Sequence, residues 1–469
     1  MRLLVAAALA ALLAGCSGSA GHRASSPASS PSTSPATSAA SSRSVTGSEP
    51  PQPQRQPDWS TYHGTPDRAG NATQLPTVRA ARVATTIKLD GAVYASPIVA
   101  DGMTIVATEN DTVYAFDAAY HQVWKRHLGS PAPRSQLPCG NIDPLGITGT
   151  PVYDRATGLV YVAAEYGGPP RHELVALRLT NGAVAWQHTL DLPGVETAAM
   201  QQRGALALTS GRVYVPFGGL AGDCGGYKGR VVGYATDGSG APIAYTVPTA
   251  REAGIWAPPG VVVGGTGRLY VAVGNGASVQ GDPYDHSDSI LALSPDLKLL
   301  DSFSPATWPT DNANDLDLGS QGPAVVGQWI FTAGKSGTAY VLRRDHLGGI
   351  GGQVSHAALC RSFGGTAVAG DVVYVPCTDG LRAVRIDSAG RLHVLWHADP
   401  AITGSPVVGG GRVWSLDPNA GALRALDPAT GNAEIGVHVG ATSRFATPAV
   451  HARDLLIPML AGLTVVRTS

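Results

Sequence analysis

Residues 96–117 read SPIVADGMTIVATENDTVYAFD, and residues 405–427 read SPVVGGGRVWSLDPNAGALRALD. In both stretches an apolar run, a turn at glycine and a second apolar run lead to a polar aspartate. The same unit recurs eight times between Gly91 and the C-terminus. Such a period is typical of repeat folds in which each unit buries its apolar face against its neighbours. The repeat therefore predicts an architecture, although it names no reaction.

The repeats divide the chain into eight predicted blades, each rich in Val, Tyr and Leu and bounded by Gly, Asp or Asn. We place them at residues 91–129, 146–192, 201–248, 254–306, 317–358, 362–399, 402–440 and 443–469. Because no segment shows sustained helical periodicity, we predict an all-β, eight-bladed propeller of four-stranded antiparallel blades. The last blade is too short for four strands, and VATTIKL at 83–89 is expected to complete it. Pairing of the N- and C-terminal strands closes the ring and removes its open edge.

The N-terminus, MRLLVAAALAALLAGC, combines one basic residue, a short apolar run and small residues before Cys16. The run is too short to span a membrane and is typical of a secretory signal. Leu13-Ala14-Gly15-Cys16 resembles a bacterial lipobox. We therefore predict a lipoprotein signal peptide over residues 1–15 and lipidation of Cys16; the alternative is an ordinary signal with a chance cysteine.

Residues 17–57 contain 13 Ser and 7 Pro and almost nothing apolar. Such a segment buries too little surface to offset its ordering entropy, so residues 16–57 are predicted to be a disordered tether. The composition changes at Asp58-Trp59, where the folded domain 58–469 is expected to begin. These features predict an extracytoplasmic, monomeric domain that a lipid on Cys16 anchors to the bacterial cell membrane.

The net charge of −1 offers no basic footprint, so no nucleic-acid partner is expected. Four cysteines remain in the domain, and an even number in an exported chain favours disulfides. Cys360 and Cys377 flank one predicted hairpin, which leaves Cys139 and Cys224 as the second pair. Metal binding is the alternative, but no C-x-x-C or Cys/His cluster supports it. The chain also lacks H-E-x-x-H and G-x-S-x-G, which disfavours a zinc enzyme or a serine hydrolase.

Three blade ends, Phe116-Asp117…Trp124, Asn181-Gly182…Trp186 and Asp387…Trp396, resemble the tryptophan-docking motif of quinoprotein propellers. The stretches CGNIDPLGITGTP (139–151), GDCGGYKG (222–229) and GSQGPAVVGQWIFTAGKSGTAYVLRRDHLGG (319–349) extend this likeness over nearly all of 58–469. On these residues the chain resembles the pyrroloquinoline quinone (PQQ)-like propeller family. That family includes quinoprotein alcohol dehydrogenases and also an outer-membrane barrel-assembly lipoprotein that has no cofactor.

The dehydrogenases of this family combine an aromatic floor under the quinone, a calcium ion, a carboxylate base and a nearby cation. The resemblance implies that Trp256 and Lys335 contact the quinone and that Asp223 and Asn275 are calcium ligands. It implies that Asp315 or Asp317 is the base. These residues occupy corresponding points of successive blades, so we expect them to converge on one mouth of the ring. The structural alternatives are turn aspartates, a packing tryptophan, a turn asparagine and an exposed Gly-Lys-Ser-Gly turn.

The chain departs from the dehydrogenase pattern in three places. The family's adjacent cysteines are replaced by Cys139-Gly140, the aspartate pattern is shifted by about one residue, and no C-x-x-C-H haem motif is present. We therefore favour a membrane-tethered scaffold that binds a small molecule or an envelope protein. The alternatives are a PQQ- and calcium-dependent oxidoreductase acting on an alcohol or sugar, and a cell-envelope assembly factor.

Overall fold

A computed structural model describes residues 58–469. The predicted signal peptide, the lipidated Cys16 and the tether lie outside these residues. Within the described part no helix is long and apolar enough to cross a membrane. The α-helix there is the short segment Trp308–Ala313, and three 3₁₀ turns occur at Arg134–Gln136, Thr197–Ala199 and Leu318–Ser320.

Eight antiparallel sheets form the blades, which confirms the predicted eight-bladed propeller. Three of them carry a short additional strand, Met200–Gln201 beside blade 3, Gly349–Ile350 beside blade 4 and Asn71–Ala72 beside blade 7. The four main strands of each blade are, for blade 1, Ile98–Ala100, Met103–Thr108, Thr112–Phe116 and Gln122–His127; for blade 2, Val152–Asp154, Leu159–Tyr166, Arg171–Arg178 and Val184–Thr189; for blade 3, Ala207–Thr209, Arg212–Gly219, Arg230–Ala235 and Ile243–Thr246; for blade 4, Val262–Val263, Leu269–Val273, Ser289–Leu293 and Leu299–Ser304; for blade 5, Ala324–Val326, Trp329–Ala333, Thr338–Arg343 and Ser355–Ala358; for blade 6, Ala367–Ala369, Val372–Val375, Arg382–Ile386 and Leu392–His397; for blade 7, Val407–Gly409, Arg412–Asp417, Ala422–Leu426 and Ala433–His438; and for blade 8, Ala449–His451, Asp454–Met459, Gly462–Thr468 and Ala81–Lys88.

The ring is closed by strand pairing between the two ends of the folded chain. Ala81–Lys88 pairs antiparallel with Gly462–Thr468 and becomes the outer strand of blade 8. This is the closure that VATTIKL predicted. It leaves blade 8 with the same four strands as its neighbours.

Tryptophans on the outer strands of blades 1, 2 and 6 pack against the next blade. Trp124 of blade 1 donates its indole N–H to the carbonyl of Leu179 at 2.7 Å, and its ring lies against Gly182 in blade 2. A Cβ at Gly182 would come within 2.5 Å of that ring, so glycine is needed there for close packing as well as for its positive φ of 66°. Trp396 of blade 6 repeats the arrangement on Gly431 of blade 7. These tryptophans are structural, as the docking motif predicts.

Residues 59–72 cross the end of the central channel and close it. The carbonyls of Trp59, Ser60, Pro66, Ala69 and Gly70 accept hydrogen bonds of 2.7–2.9 Å from the inner strands of blades 1, 2, 4, 6 and 7. Inner strands carry unpaired backbone groups toward the channel, and this segment supplies their acceptors. We name residues 59–72 the axial plug, a feature that the sequence patterns did not predict.

Both predicted disulfides are present. Cys139–Cys224 has a Cα–Cα distance of 6.1 Å, and Cys360–Cys377 has one of 5.7 Å. The first disulfide joins the loop before blade 2 to the loop between the second and third strands of blade 3. Around it Ala132, Leu137, Ile142, Leu145 and Leu220 form a small apolar cluster of their own.

Candidate functional site

A cavity of about 810 Å³ opens at the end of the ring opposite the axial plug. We call this end the mouth. Its walls come from loops that join the second and third strands of blades 3, 4 and 5 and from the blade 4–blade 5 connection. Its floor comes from the connections that lead into the inner strands.

All the residues singled out by the family resemblance line this one cavity. They are Asp223, Trp256, Asn275, Asp315, Asp317 and Lys335. Equivalent loops of neighbouring blades point in the same direction, so positions far apart in sequence meet at the mouth. Their convergence is a fact of the structure, whereas their predicted roles in binding a quinone or calcium stay predictions.

Four of these residues form a connected polar cluster. The Lys335 ammonium lies 2.5 Å from Asp315 Oδ1 and 2.6 Å from Asp317 Oδ2. Asn275 donates its side-chain amide to Asp315 Oδ1 at 2.8 Å and its backbone N–H to Asp317 Oδ1 at 2.6 Å. The Oδ1 of Asn275 is buried without a hydrogen-bond partner among the described residues. Lys335 thus bridges two carboxylates, and Asn275 holds both in place.

Close backbone approach brings Asp317 into this cluster. A Cβ on Gly274 would lie 2.3 Å from Asp317 Oδ1, and a Cβ on Gly334 would lie 2.3 Å from the Asp317 carbonyl. Both glycines precede a site residue, in Gly274-Asn275 and Gly334-Lys335. The glycines therefore let the strand ends of blades 4 and 5 close around one carboxylate.

Burial and charge act in opposite directions within the cluster. Asp317 is 7% exposed while Asp315 is 67% exposed. Burial raises the pKa of Asp317, and the Lys335 charge offsets only part of that rise. Burial also acts to lower the pKa of Lys335, but the two carboxylates outweigh it and raise this pKa. Lys335 consequently remains a cation at neutral pH.

A further carboxyl stands behind Asp317. Asp288 is fully buried, accepts the backbone N–H of Leu318 at 2.9 Å with Oδ1, and has no partner for Oδ2 among residues 58–469. Burial raises its pKa well above the ordinary value, and the Asp317 charge adds to the rise. The sequence analysis missed Asp288 because it lies within Ser-Asp-Ser at the start of a strand, a pattern typical of a turn.

Asp223 lines the same cavity as this cluster. Its Oδ1 accepts the Tyr227 hydroxyl at 2.5 Å, and its carbonyl accepts Arg251 at 2.7 Å. The neighbouring Cys224 ties this loop to Cys139. Glu252 lies close by, and burial raises the pKa of its carboxyl, with Asp223, Asp315 and Asp317 opposing its ionisation further. Arg251 lies 2.6 Å from Glu252 Oε1, so this part of the mouth carries one cation among its acidic groups.

The floor of the mouth is aromatic and cationic. The Trp256 ring centroid lies 6.5 Å from that of Phe363 and 6.4 Å from that of Phe445. The Arg203 guanidinium lies 4.0 Å from the Phe445 centroid and 5.9 Å from that of Trp256. Of these residues only Trp256 was predicted. A positional signal exists for the others, because Arg203, Phe363 and Phe445 each come four residues before an inner strand.

The described arrangement does not fit a resident calcium ion. Calcium takes six to eight oxygen ligands, yet Asp315 and Asp317 already bind the Lys335 ammonium and Asp223 is engaged by Tyr227. Between residues 58 and 469, the one group of three acidic, His or Cys side chains with metal-ligand spacing is Cys360, Cys377 and Asp379. The two sulfurs of that group form a disulfide. Lys335 supplies the positive charge in the place where a metal is implied.

A flat anionic quinone fits the mouth better than calcium does. The cavity volume lies within the ordinary range for small-molecule sites. Trp256 offers a ring for stacking, with Lys335 and Arg203 at 5.8 and 5.9 Å from its centroid. Residues of these types suit a planar molecule that carries negative charge.

Comparisons with known proteins agree with the fold. Residues 80–270 match the family described as outer membrane protein assembly factor BamB. The quinohemoprotein alcohol dehydrogenase from Comamonas testosteroni is 17% identical with a TM-score of 0.69, covering 88% of this chain and 81% of its own. BamB from Moraxella catarrhalis is 16% identical with a TM-score of 0.57, covering 83% of this chain and 98% of its own. No curated protein matches the sequence.

The matched repeat, the eight sheets and the docking tryptophans define the class of protein. The chain is an eight-bladed propeller built from PQQ-like repeats, as the sequence resemblance predicts. Within it, residues 80–270 are the part that matches the BamB-like repeat family. At these identities the two solved structures are similar in fold, and their activities do not carry over to this chain.

Proposed function

We propose that this chain is an extracytoplasmic binding propeller that takes up a small molecule with a flat ring at its mouth. The observation that carries the proposal is the 810 Å³ cavity with Trp256, Phe363 and Phe445 on its floor and hydrogen-bonding groups on its walls. Stacking between a ligand ring and the aromatic floor contributes affinity in many ligand orientations. Hydrogen bonds to the polar wall then favour one of these orientations.

The closed far end of the channel supports a single route to this site. The axial plug bonds to inner strands of five blades and leaves the mouth as the open end of the ring. Beneath the floor only a space of about 10 Å³ remains between Tyr62, Arg203 and Phe445. The molecule is therefore shaped as a cup, which suits capture and holding of a ligand.

Two disulfides support a location outside the cytoplasm, because reducing conditions in the cytoplasm oppose them. The predicted signal peptide and lipidated Cys16 agree with this location and stay part of the proposal. A lipid on Cys16 followed by the Ser/Pro-rich tether holds the cup near the bacterial cell membrane.

A PQQ-dependent oxidoreductase is the second candidate, and the sharing of one cavity by Trp256, Asn275, Asp317 and Lys335 favours it. A bound quinone would supply the electron acceptor. Asp317 is the carboxylate suited to hold a substrate proton, because burial raises the pKa of its carboxyl. Its contact with Lys335 at 2.6 Å, in place of a metal, is the feature that distinguishes this chain from a calcium-dependent enzyme.

Thermal unfolding of the full chain with PQQ, with calcium, with both and with a panel of flat aromatic acids tests the proposal. A ligand at 100 times its Kd stabilises the folded state by about 2.7 kcal/mol. We expect stabilisation that needs no calcium and is lost in Trp256→Leu. Trp186→Leu is the matched control, because its indole packs on Gly238 away from the mouth; it lowers the melting temperature but keeps the ligand shift.

The outcomes separate the two candidates. Stabilisation by PQQ, together with oxidation of an alcohol that reduces an artificial electron acceptor, would establish the oxidoreductase. Stabilisation without turnover supports the binding propeller. If no compound stabilises the wild type, or if Trp256→Leu responds as the wild type does, the proposed mouth site is wrong.

A further inference from the structure

The two disulfides of the domain differ in their exposure to solvent. Cys360 and Cys377 are buried, at 8% and 1% exposure, among apolar side chains of blades 5 and 6. Cys139 and Cys224 are only half-buried and lie at the edge of a small apolar cluster. Because thiol–disulfide exchange requires a thiolate to reach one of the sulfurs, this difference favours reduction of Cys139–Cys224.

The exposed disulfide joins the mouth to a segment that precedes blade 2. Cys139 belongs to that segment, residues 130–146, which we call the strap. Cys224 belongs to residues 220–226, between the second and third strands of blade 3, which we call the wall loop. The first four residues of the wall loop line the mouth cavity, and Leu220 packs with the apolar side chains of the strap. The disulfide therefore fastens part of the cavity wall to the strap.

The tip of the wall loop makes few other contacts with the domain. The Ala221 carbonyl accepts the Gly140 N–H of the strap at 3.0 Å. Asp223 accepts Arg251 with its carbonyl at 2.7 Å and the Tyr227 hydroxyl with its carboxylate at 2.5 Å. The loop sequence is Leu-Ala-Gly-Asp-Cys-Gly-Gly, and glycine loses more conformational freedom on ordering than any other residue. We therefore expect cleavage of the disulfide to release this loop.

We propose that Cys139–Cys224 is a redox switch of the mouth, which an extracytoplasmic dithiol opens while Cys360–Cys377 stays oxidised. The inference rests on the proposed function, whose site it regulates. One thiolate of the dithiol attacks a sulfur of the switch and forms a mixed disulfide, which the second thiol of the dithiol then cleaves. The dithiol supplies two electrons and two hydrogens, leaves as a disulfide, and converts Cys139 and Cys224 to thiols. The released wall loop then holds the ligand less tightly.

Timed reduction of the folded full chain by dithiothreitol, a small dithiol, compares the two disulfides. Iodoacetamide alkylates the free thiols, and peptide mass spectrometry locates them. We expect Cys139 and Cys224 to be alkylated at least about tenfold faster than Cys360 and Cys377, because reduction follows access to the sulfurs. The matched control is the chain unfolded in urea, where this difference should disappear. Equal rates in the folded chain, or faster alkylation of Cys360 and Cys377, would overturn the inference.

Hydrogen–deuterium exchange measures whether reduction releases the wall loop. The oxidised chain is compared with the reduced chain and with the double variant Cys139→Ser, Cys224→Ser. We expect faster exchange of the amides of residues 220–226 in both, and unchanged exchange in the strands of blade 6. The reduced wild type decides the result if the double variant does not fold. Unchanged exchange in the wall loop after reduction contradicts the inference.

Calorimetry with PQQ as the probe separates the inference from the proposed function. The double serine variant is used for this measurement, so that no added thiol reduces the quinone. We expect its Kd for PQQ to be about tenfold higher than that of the wild type. Equal affinities, with a released wall loop, would keep the binding propeller and overturn the switch. If neither protein binds PQQ, the result counts against the proposed ligand, and release of the wall loop on reduction still supports the switch.

Discussion

The closed end of the ring holds a buried arginine and the mouth holds a half-buried one, and the two have different surroundings. At the closed end Arg68 donates to the carbonyls of Leu206 and Val261 at 2.9 Å each and also to the Thr61 hydroxyl. At the mouth the Arg203 guanidinium lies 4.0 Å from the Phe445 ring centroid and 5.9 Å from that of Trp256. A desolvated guanidinium requires acceptors. The carbonyls of Leu206 and Val261 and the Thr61 hydroxyl supply them to Arg68, whereas aromatic rings lie beside Arg203.

The largest expected effect on stability comes from a substitution at the closed end of the ring. Arg68→Gln removes charged hydrogen bonds to the carbonyls of Leu206 and Val261 and leaves the Val261 carbonyl buried without this donor, so we expect a loss of about 3–5 kcal/mol in the free energy of unfolding. Urea denaturation followed by circular dichroism measures the change. Melting identical to the wild type would show that the axial plug does not depend on Arg68.

The next prediction concerns Lys335, whose ammonium group lies between Asp315 and Asp317. Lys335→Met releases Asp315 and Asp317, whose oxygens together with Asn275 Oδ1 are the atoms that calcium prefers. We expect calcium at 100 times its Kd to stabilise this variant by about 2.7 kcal/mol. The wild type should not respond. Calcium stabilisation of the wild type, measured against a chelator blank, would show that Lys335 does not occupy the metal position.

The third prediction is that groups at the two ends of the ring make the free energy of unfolding depend on pH in opposite directions. Burial raises the pKa of Asp111 to about 9 and of Glu109 to about 8, and both lie in a mouth-side loop of blade 1. The folded state therefore retains protons that the unfolded carboxyls release above about pH 4. Stability should fall as pH rises from about 4 toward 8–9.

The closed end behaves in the opposite way. Burial lowers the pKa of His63 to about 3, so its contribution is lost only as pH falls below the unfolded value of about 6.5. Between pH 6.5 and 8 the decline in stability comes from groups on the mouth side. His172 contributes to this decline, because Glu165 and Asp191 outweigh burial and raise its pKa to about 10. Urea denaturation between pH 6.5 and 8 measures how the free energy of unfolding changes with pH. We expect this dependence to be weaker in Asp111→Asn and unchanged in His63→Asn.

The smallest effect is the counterpart of the first. Arg203→Gln removes no protein hydrogen bond and relieves repulsion from Arg444, so the free energy of unfolding should change by no more than about 1 kcal/mol. The same urea titration serves as its measurement. A loss as large as that of Arg68→Gln would mean that Arg203 has a structural role, and the contrast between the two ends would fail.

Local patterns were sufficient for much of the fold and part of the site. The Gly-turn repeat specified eight blades, and the alternating run at 83–89 specified the strand that closes blade 8. The parity of the cysteines with one hairpin specified both disulfides. The resemblance to the PQQ-like propellers singled out the mouth residues Trp256, Asn275 and Lys335, and their corresponding positions in successive blades predicted that they meet at one end of the ring.

Other features depend on contacts between segments that share no sequence pattern. The axial plug bonds through backbone carbonyls to inner strands of different blades, so its side chains carry no periodicity. Taken one at a time in the sequence, Arg203, Phe363 and Phe445 belong to no recognisable motif. Their importance follows from the contacts they make with residues of other blades across the channel. The bridging of Asp315 and Asp317 by Lys335 likewise depends on how closely blades 4 and 5 approach.

The sequence by itself determined the repeat, the closure of the ring, the cysteine pairing and the end at which polar residues gather, because each follows from short-range periodicity or counting. Only the tertiary structure decided which charges are neutralised. At the mouth Lys335 satisfies two aspartates, whereas Arg203 and Arg444 have rings for neighbours. That distinction depends on distances of a few ångströms between blades, over which Coulomb and desolvation energies change most steeply.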